Sequence, residues 1–213
     1  MSKRLDSLGE NFSSNCLHEE LEYFDVCHEK VAVPSTIKGI ITSSKIPTDG
    51  LDLFTVHRTK DVANVLAILL FEGLIEIKNL RGGVVDFGCG AGSSAHVLKQ
   101  YGGRVTGVDI DPNNIQCAIT QGILSPDTSY KGDGFEYLTQ EVKPSSIDFL
   151  SAFMIVSQLN VGDLYGCSDR VLKHGGQLLV TGMTDSEPNI DKYSWIGKTR
   201  DCLSEYCLIY TKR

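Results

Sequence analysis

Nothing in these 213 residues pairs cysteines. The seven (Cys16, Cys27, Cys89, Cys117, Cys167, Cys202 and Cys207) are scattered, with no C-x-x-C and no histidine at metal-ligand spacing, so no metal site is expected. The opening residues, MSKRLDSLGENFSS, lack the apolar stretch of a secretory signal. An odd cysteine count with no export signal fits free thiols in a reducing compartment, and a cytoplasmic location is expected. Long apolar runs are also missing. The longest, around Val62–Phe71, falls far short of a membrane span. No basic surplus exists either: a formal charge of −7 argues against a broad nucleic-acid surface. Internal repeats and low-complexity tracts are absent. What is present, 41% hydrophobic and 22% charged residues, suits one soluble domain with an α/β core and some extra structure.

The most informative stretch is VVDFGCGAG, Val84–Gly92. An apolar strand carries an acid near its end (Asp86), then glycines fall at alternate positions: Gly88, Gly90 and Gly92. Glycines at a strand-to-helix turn let the backbone approach a ligand closely and leave the N–H groups of the next helix open to polar groups. A second strand, Val105–Asp109, ends in another acid placed to accept hydrogen bonds from a ribose. Together they point to a nucleoside-bearing cofactor held across two parallel strand ends. Within that loop Cys89 is better read as a small packing residue than as a reactive thiol.

Around this loop the pattern alternates. Strands are expected at Val84–Phe87, Val105–Asp109, Ser129–Lys131, Ile147–Ala152 and Gln177–Thr181, and helices near Ser93–Tyr101, Pro112–Gln121, Gly134–Glu141 and Leu159–Lys173. Asp111 before Pro112 is a cap for its helix. Such alternation implies a parallel sheet covered on both faces. Upstream, residues 1–15 are polar and expected to be loose. Cys16–Lys30 places Leu17, Leu21, Phe24 and His28 on one helical face, so an amphipathic helix is expected there. Val31–Phe54, with Pro34 and Pro47, reads as a loop or short lid. Thr59 is the expected N-cap of a helix over Lys60–Glu72. The terminal CLIYTKR reads as an edge strand.

Two cofactors compete at the glycine loop. A G-x-G-x-x-G nicotinamide loop counted from Gly88 requires glycine where Ser93 stands. The D-x-G-x-G form beginning at Asp86 instead resembles the first motif of class I S-adenosylmethionine-dependent methyltransferases. VTGVDIDP (Val105–Pro112), YKGDGFEYL (Tyr130–Leu138), SIDFLSAFMIVSQL (Ser146–Leu159) and RVLKHGGQLLVTG (Arg170–Gly182) resemble later family motifs in the same order. The resemblance covers nearly half the chain. It implies a three-layer α/β/α Rossmann-like fold with a mostly parallel seven-stranded sheet and a reversed last strand. It implies S-adenosyl-L-methionine as cofactor, Asp109 on the ribose, Ile110 against the adenine, and Asp133 and Gly134 near the adenine amino group. Backbone groups of Gly88 and Gly90 would meet the amino-acid end and Asp86 would face the cationic part. Cys89, Gly92 and Ser151 complete the expected cofactor set.

Methyl transfer from a sulfonium needs no fixed catalytic residue when the acceptor is already nucleophilic. Signatures of particular acceptors are absent: no Asn/Asp-Pro-Pro-aromatic run, no Pro-Cys pair, and Ser157-Gln158 where many small-molecule members carry His-His. Catalytic candidates are His57 and Phe153; His28, His57, Phe153, Tyr193 and Trp195 are candidates for the acceptor side. The expected organisation is a loose tail (1–15), a helical cap selecting the acceptor (16–58) and the cofactor domain (59–213). The expected activity is methylation of an O or N atom of a small molecule. Nucleic-acid and membrane partners are not expected; a homodimer or protein partner is left open. A catalytically silent cofactor-binding subunit and a protein methyltransferase are the alternatives. An NAD enzyme and an aminopropyl transferase rank below them, the latter because no acid follows the fourth strand.

Overall fold

Runs of valine, leucine and phenylalanine bounded by glycine or acid form the strands, as their β-branched and aromatic content dictates. The structure is a computed structural model and describes residues 21–26, 29–34, 39–154, 161–182, 194–195 and 206–212. The central strands are β3 (Gly83–Phe87), β4 (Arg104–Asp109), β5 (Ser129–Lys131), β6 (Ile147–Phe153) and β7 (Leu172–Gly182), followed by β8 (Ser194–Trp195) and β9 (Tyr206–Thr211). They form one seven-stranded sheet in the order β5-β4-β3-β6-β7-β9-β8. The first five in that order pair in parallel; β9 runs antiparallel to β7 and to β8. This is the expected Rossmann-like sheet with its reversed final strand.

Strand parity divides the core into two halves. Val84, Val105, Phe149 and Leu179 pack on one face against α1 (Leu53–Phe71), α3 (Ser93–Gln100) and α4 (Pro112–Thr120). Val85, Val108, Leu150, Leu178 and Val180 face the other way, toward α6 (Val161–Val171) and the turns after α5 (Gly134–Glu136). A short α2 (Ile77–Leu80) links α1 to β3. The chain direction of the sheet order reverses between β3 and β6, which opens a crevice at their carboxyl ends.

Four expectations are corrected. The helix expected over Cys16–Lys30 is an antiparallel hairpin, β1 (Leu21–Val26) with β2 (Glu29–Pro34), in register from Leu21↔Pro34 to Val26↔Glu29. Tyr23, Phe24, Val26, Val31 and Val33 supply the aromatic and β-branched content that favours strands, so the N-terminal cap is not helical there. The helix expected to begin after Thr59 begins at Leu53, because Asp52 caps it: its carboxylate accepts from Thr55 N (2.9 Å) and Thr55 Oγ1 (2.7 Å). The boundary drawn at 58/59 thus falls inside α1, and Thr59 is fully buried on its inner face. Finally, β9 is not the edge strand, since β8 pairs along its outer side. Residues 1–20, including the tail expected to be loose, lie outside the described residues.

The expected lid is tied down rather than free. Tyr101, which follows α3, accepts from Ile41 N and donates to Ile41 O through one hydroxyl, both at 3.1 Å. The His96 ring meets Pro47 O at 2.7 Å, and Asp52 N donates to Gln121 Oε1 at 3.1 Å. These ties dock Ile41 and Pro47 along α3 and its carboxyl end, and the cap of α1 on the carboxyl end of α4.

Candidate active site

The site is assembled at the carboxyl ends of β3, β4 and β5. Leaving β3, the glycine loop doubles back over β4: Gly88 N and Cys89 N both donate to Val108 O, at 2.7 and 3.0 Å. Gly90 N donates to Asp109 Oδ2 at 2.8 Å. Gly90 itself adopts φ +54°, and a Cβ built there meets nothing within 4 Å. It needs glycine for its backbone, and the space above it is open to a ligand. Of the backbone groups of Gly88 and Gly90 expected at the ligand, the two amides are already engaged. Both are spent on β4, so the loop offers carbonyl oxygens and shape instead.

Asp109 is the keystone of this corner. Its Oδ1 accepts from Asp111 N (2.9 Å) and Asn114 Nδ2 (3.2 Å), while Oδ2 holds Gly90. An ionised carboxylate has about four acceptor positions, so one remains for a further donor. Asp111 caps α4 as expected, accepting from Asn113 N at 2.8 Å. That cap turns the first turn of α4 so that Asn114 reaches back to the tip of β4.

Beside Asp109 lies a cavity of about 410 Å³. Of the expected cofactor residues, Gly88, Asp109, Ile110, Asp133 and Gly134 line it. Ile110 is 76% exposed, an apolar side chain standing bare at the rim. Asp133 Oδ1 caps α5, accepting from Phe135 N at 2.7 Å and Glu136 N at 3.3 Å. Phe87 and Phe135, edge to face with centroids 5.2 Å apart, close one wall. Sequence reasoning missed these two and Asn114. Their signal was adjacency: each sits within five residues of a named motif acid or glycine.

Asp86, Cys89, Gly90, Gly92 and Ser151 do not line that cavity. Asp86 is fully buried beneath the loop, where Ser94 Oγ donates to its Oδ2 (2.6 Å) and Ser151 Oγ to its Oδ1 (2.8 Å). It also accepts a backbone hydrogen bond from Ala95, in the first turn of α3. The carboxylate therefore caps the amino end of α3, where the helix dipole favours negative charge. Burial pushes its pKa up to about 6, against the lowering pull of the two serines and Ala95. Cys89 is buried as well; desolvation, then the charges of Asp86 and Asp109, push its thiol far above the ordinary range. It is a packing residue, with Sγ 3.6 Å from Gly90 O.

Residues 85–180 match the family model described as a methyltransferase domain. Over these residues the chain is similar to methyltransferase domains. Solved structures similar to the chain include an arsenic(III) S-adenosylmethionine methyltransferase from Chlamydomonas reinhardtii (24% identity, TM-score 0.40, covering 47% of this chain and 38% of that one). A SAM-dependent methyltransferase from Archaeoglobus fulgidus is 19% identical with TM-score 0.44, covering 64% of this chain and 61% of that one. A phosphoethanolamine N-methyltransferase from Haemonchus contortus, in complex with phosphomonomethylethanolamine and S-adenosylhomocysteine, is 21% identical with TM-score 0.46, covering 72% of this chain and 37% of that one. The chain thus spans less than two thirds of the length of each of these proteins. No match was found among the curated proteins.

The residues expected on the acceptor side are placed relative to the crevice where the sheet order reverses. The first two turns of α1 bridge the crevice, with Ser93 Oγ donating to Thr55 O (3.5 Å) on one bank and Arg58 Nη1 reaching Met154 Sδ (2.8 Å) on the other. His57, expected just before a helix, instead sits in the second turn of α1 and is exposed. Phe153 is buried in the core half facing α1 and also walls a notch of about 20 Å³ beside Arg58. Trp195 lies in β8 opposite Leu208, away from the crevice. His28 and Tyr193 fall outside the described residues. Among the described residues, no cluster of His, Cys, Asp and Glu can hold a metal, and no helix is long and apolar enough to cross a membrane.

Proposed function

We propose that the chain is an enzyme that moves a methyl group from S-adenosyl-L-methionine to an O or N atom of a small molecule. One observation carries this reading: the Asp109 carboxylate is fixed by three donors at the rim of the 410 Å³ cavity with an acceptor position left over. That position suits a ribose hydroxyl. Ile110, bare at the rim, offers an apolar face for the adenine, and the free side of Asp133 suits its amino group. The carbonyls of the glycine loop suit the ammonium of the amino-acid end. Asp86 and Ser151 act from below, holding the loop and α3 in place.

When bound, the cofactor supplies a methyl group activated by its sulfonium, which leaves with the C–S bonding pair on sulfur. The chain's own work is to orient the acceptor in line and exclude water. Among the described residues, no side chain lining the cavity or the notch is an imidazole, and burial holds the Cys89 thiol protonated. The reading therefore requires an acceptor that is nucleophilic without a strong protein base. Purified chain, methyl-labelled S-adenosylmethionine and a panel of small acids, amines and phenols give the test. Label transfer supports the reading. S-adenosylhomocysteine binding by calorimetry with no transfer to any acceptor would overturn it in favour of a silent binding subunit.

A further inference from the structure

Arg58 stands at the acceptor crevice with partners that do not match its charge. It is half-buried, in the second turn of α1, and bridges to the far bank at the exit of β6. Its partners there are a thioether, Met154 Sδ at 2.8 Å, and an aromatic face, Phe54, 5.3 Å from the guanidinium carbon to the ring centroid. Thioether sulfur is a weak acceptor, and a guanidinium carries five N–H donors. Among the described residues, no carboxylate is ion-paired with Arg58, whereas Lys78 pairs with Glu76 and Lys173 with Asp148. Asp61, one turn further along α1, also lines the notch and is itself engaged.

The surroundings of Arg58 carry a second sign of a ligand site. Met154 holds φ +60°, a left-handed conformation that costs a side-chain-bearing residue free energy and tends to occur at functional sites. That turn leaves β6 while Met154 N still donates to Thr181 O at 2.7 Å, and it brings Sδ to Arg58. Leu53 and Phe54 are 74% and 64% exposed, an apolar shelf on the same end of α1. The notch below holds little more than one water-sized group, so any acceptor body must lie over this shelf.

We infer that Arg58 is the specificity-determining residue of the acceptor site and that the acceptor carries an oxyanion, a carboxylate or a phosphate, on an apolar body. The oxyanion displaces Met154 Sδ and takes two parallel N–H donors of the guanidinium. The apolar body lies on Leu53 and Phe54. This inference rests on the proposed function, because the crevice matters only if an acceptor enters it.

Calorimetry on the chain saturated with S-adenosylhomocysteine separates the two readings. The probes are benzoate, phenyl phosphate and neutral benzamide. One of the two anions is expected to bind about tenfold or more tighter than benzamide, and whichever does so identifies the anion class. Arg58→Met is expected to erase that preference while leaving S-adenosylhomocysteine affinity within about twofold, which also reports that the variant is folded. Equal affinities for all three probes, or an anion preference that survives Arg58→Met, would overturn the inference while the cofactor reading stands. Failure of the parent chain to bind S-adenosylhomocysteine would overturn both.

Discussion

Replacing Asp86 with asparagine removes a full charge from a site with no solvent exposure, and the consequence depends on pH in a defined direction. Burial raises the Asp86 pKa from 3.8 to about 6 in the folded chain. At about 1.4 kcal/mol per pKa unit, the folded state favours the neutral over the charged carboxyl by about 3 kcal/mol relative to the unfolded chain. The folded state therefore holds the proton more tightly. The stabilising contribution is fully present below about pH 3.8 and is lost as pH rises through about 6. An asparagine has no such dependence. It keeps one accepting oxygen for Ser94 or Ser151 and offers an N–H to the other hydroxyl, which can turn to accept, at a cost of about 1 kcal/mol. Asp86→Asn is thus expected to be more stable than the parent by about 2 kcal/mol at pH 7.5, or about 4–8 °C in Tm, and to lose that advantage near pH 4. Urea denaturation of both chains at pH 4, 5.5 and 7.5 gives the stability difference, in which every other titrating group cancels. A difference that does not change with pH would show that Asp86 carries no buried charge, and the account of it as a buried cap for α3 would fall.

Asp109→Asn places an N–H against the Gly90 or Asp111 amide and should weaken S-adenosylhomocysteine by about 30-fold or more in calorimetry; unchanged affinity would remove Asp109 from the site. Gly134→Ala would put a Cβ 2.4 Å from Phe87 Cε2, so a loss of stability of about 1–3 kcal/mol together with weaker cofactor binding is expected, with partial recovery in the Gly134→Ala, Phe87→Leu double variant. Asp52→Ala removes the α1 cap and should cost about 1 kcal/mol, a drop of about 2–4 °C in a thermal melt, without changing S-adenosylhomocysteine affinity.

The alternation of strand and helix was legible because each β-α step carries its own punctuation. The glycine loop closes β3, Asp111-Pro112 opens α4, and Lys-Gly-Asp-Gly separates β5 from α5, so the expected β3, β4 and β5 match within a residue at each end. The hairpin at the amino end was not legible for a matching reason. Leu21, Phe24 and His28 fit a helical spacing locally, whereas what decides for strands is the pairing of Glu22 with Val33, eleven positions away and outside any helical window. The start of α1 was missed likewise. Asp52-x-x-Thr55 is a cap signal, but the ties from Gln121 and Ser93 that fix this end come from distant elements.

At the site, residue chemistry was readable and side-chain direction was not, though strand parity contains it. In β3, Val84 packs toward α1 and α3, so Asp86, two places on, must face the same way and meets Ser94 of α3. Register sets Ser151 of β6 beside Asp86, and Phe149 two places before it packs on that same face; the two polar groups were bound to pair there, below the loop. Phe87 has the opposite parity and consequently reaches Phe135 and the cavity wall. The same count carried along β6 buries Phe153 with Phe149. Its neighbour Met154 would continue that alternation, but the left-handed turn at φ +60° takes it out of the strand. That is why the residue meeting Arg58 across the crevice is the methionine rather than the aromatic side chain the sequence singled out.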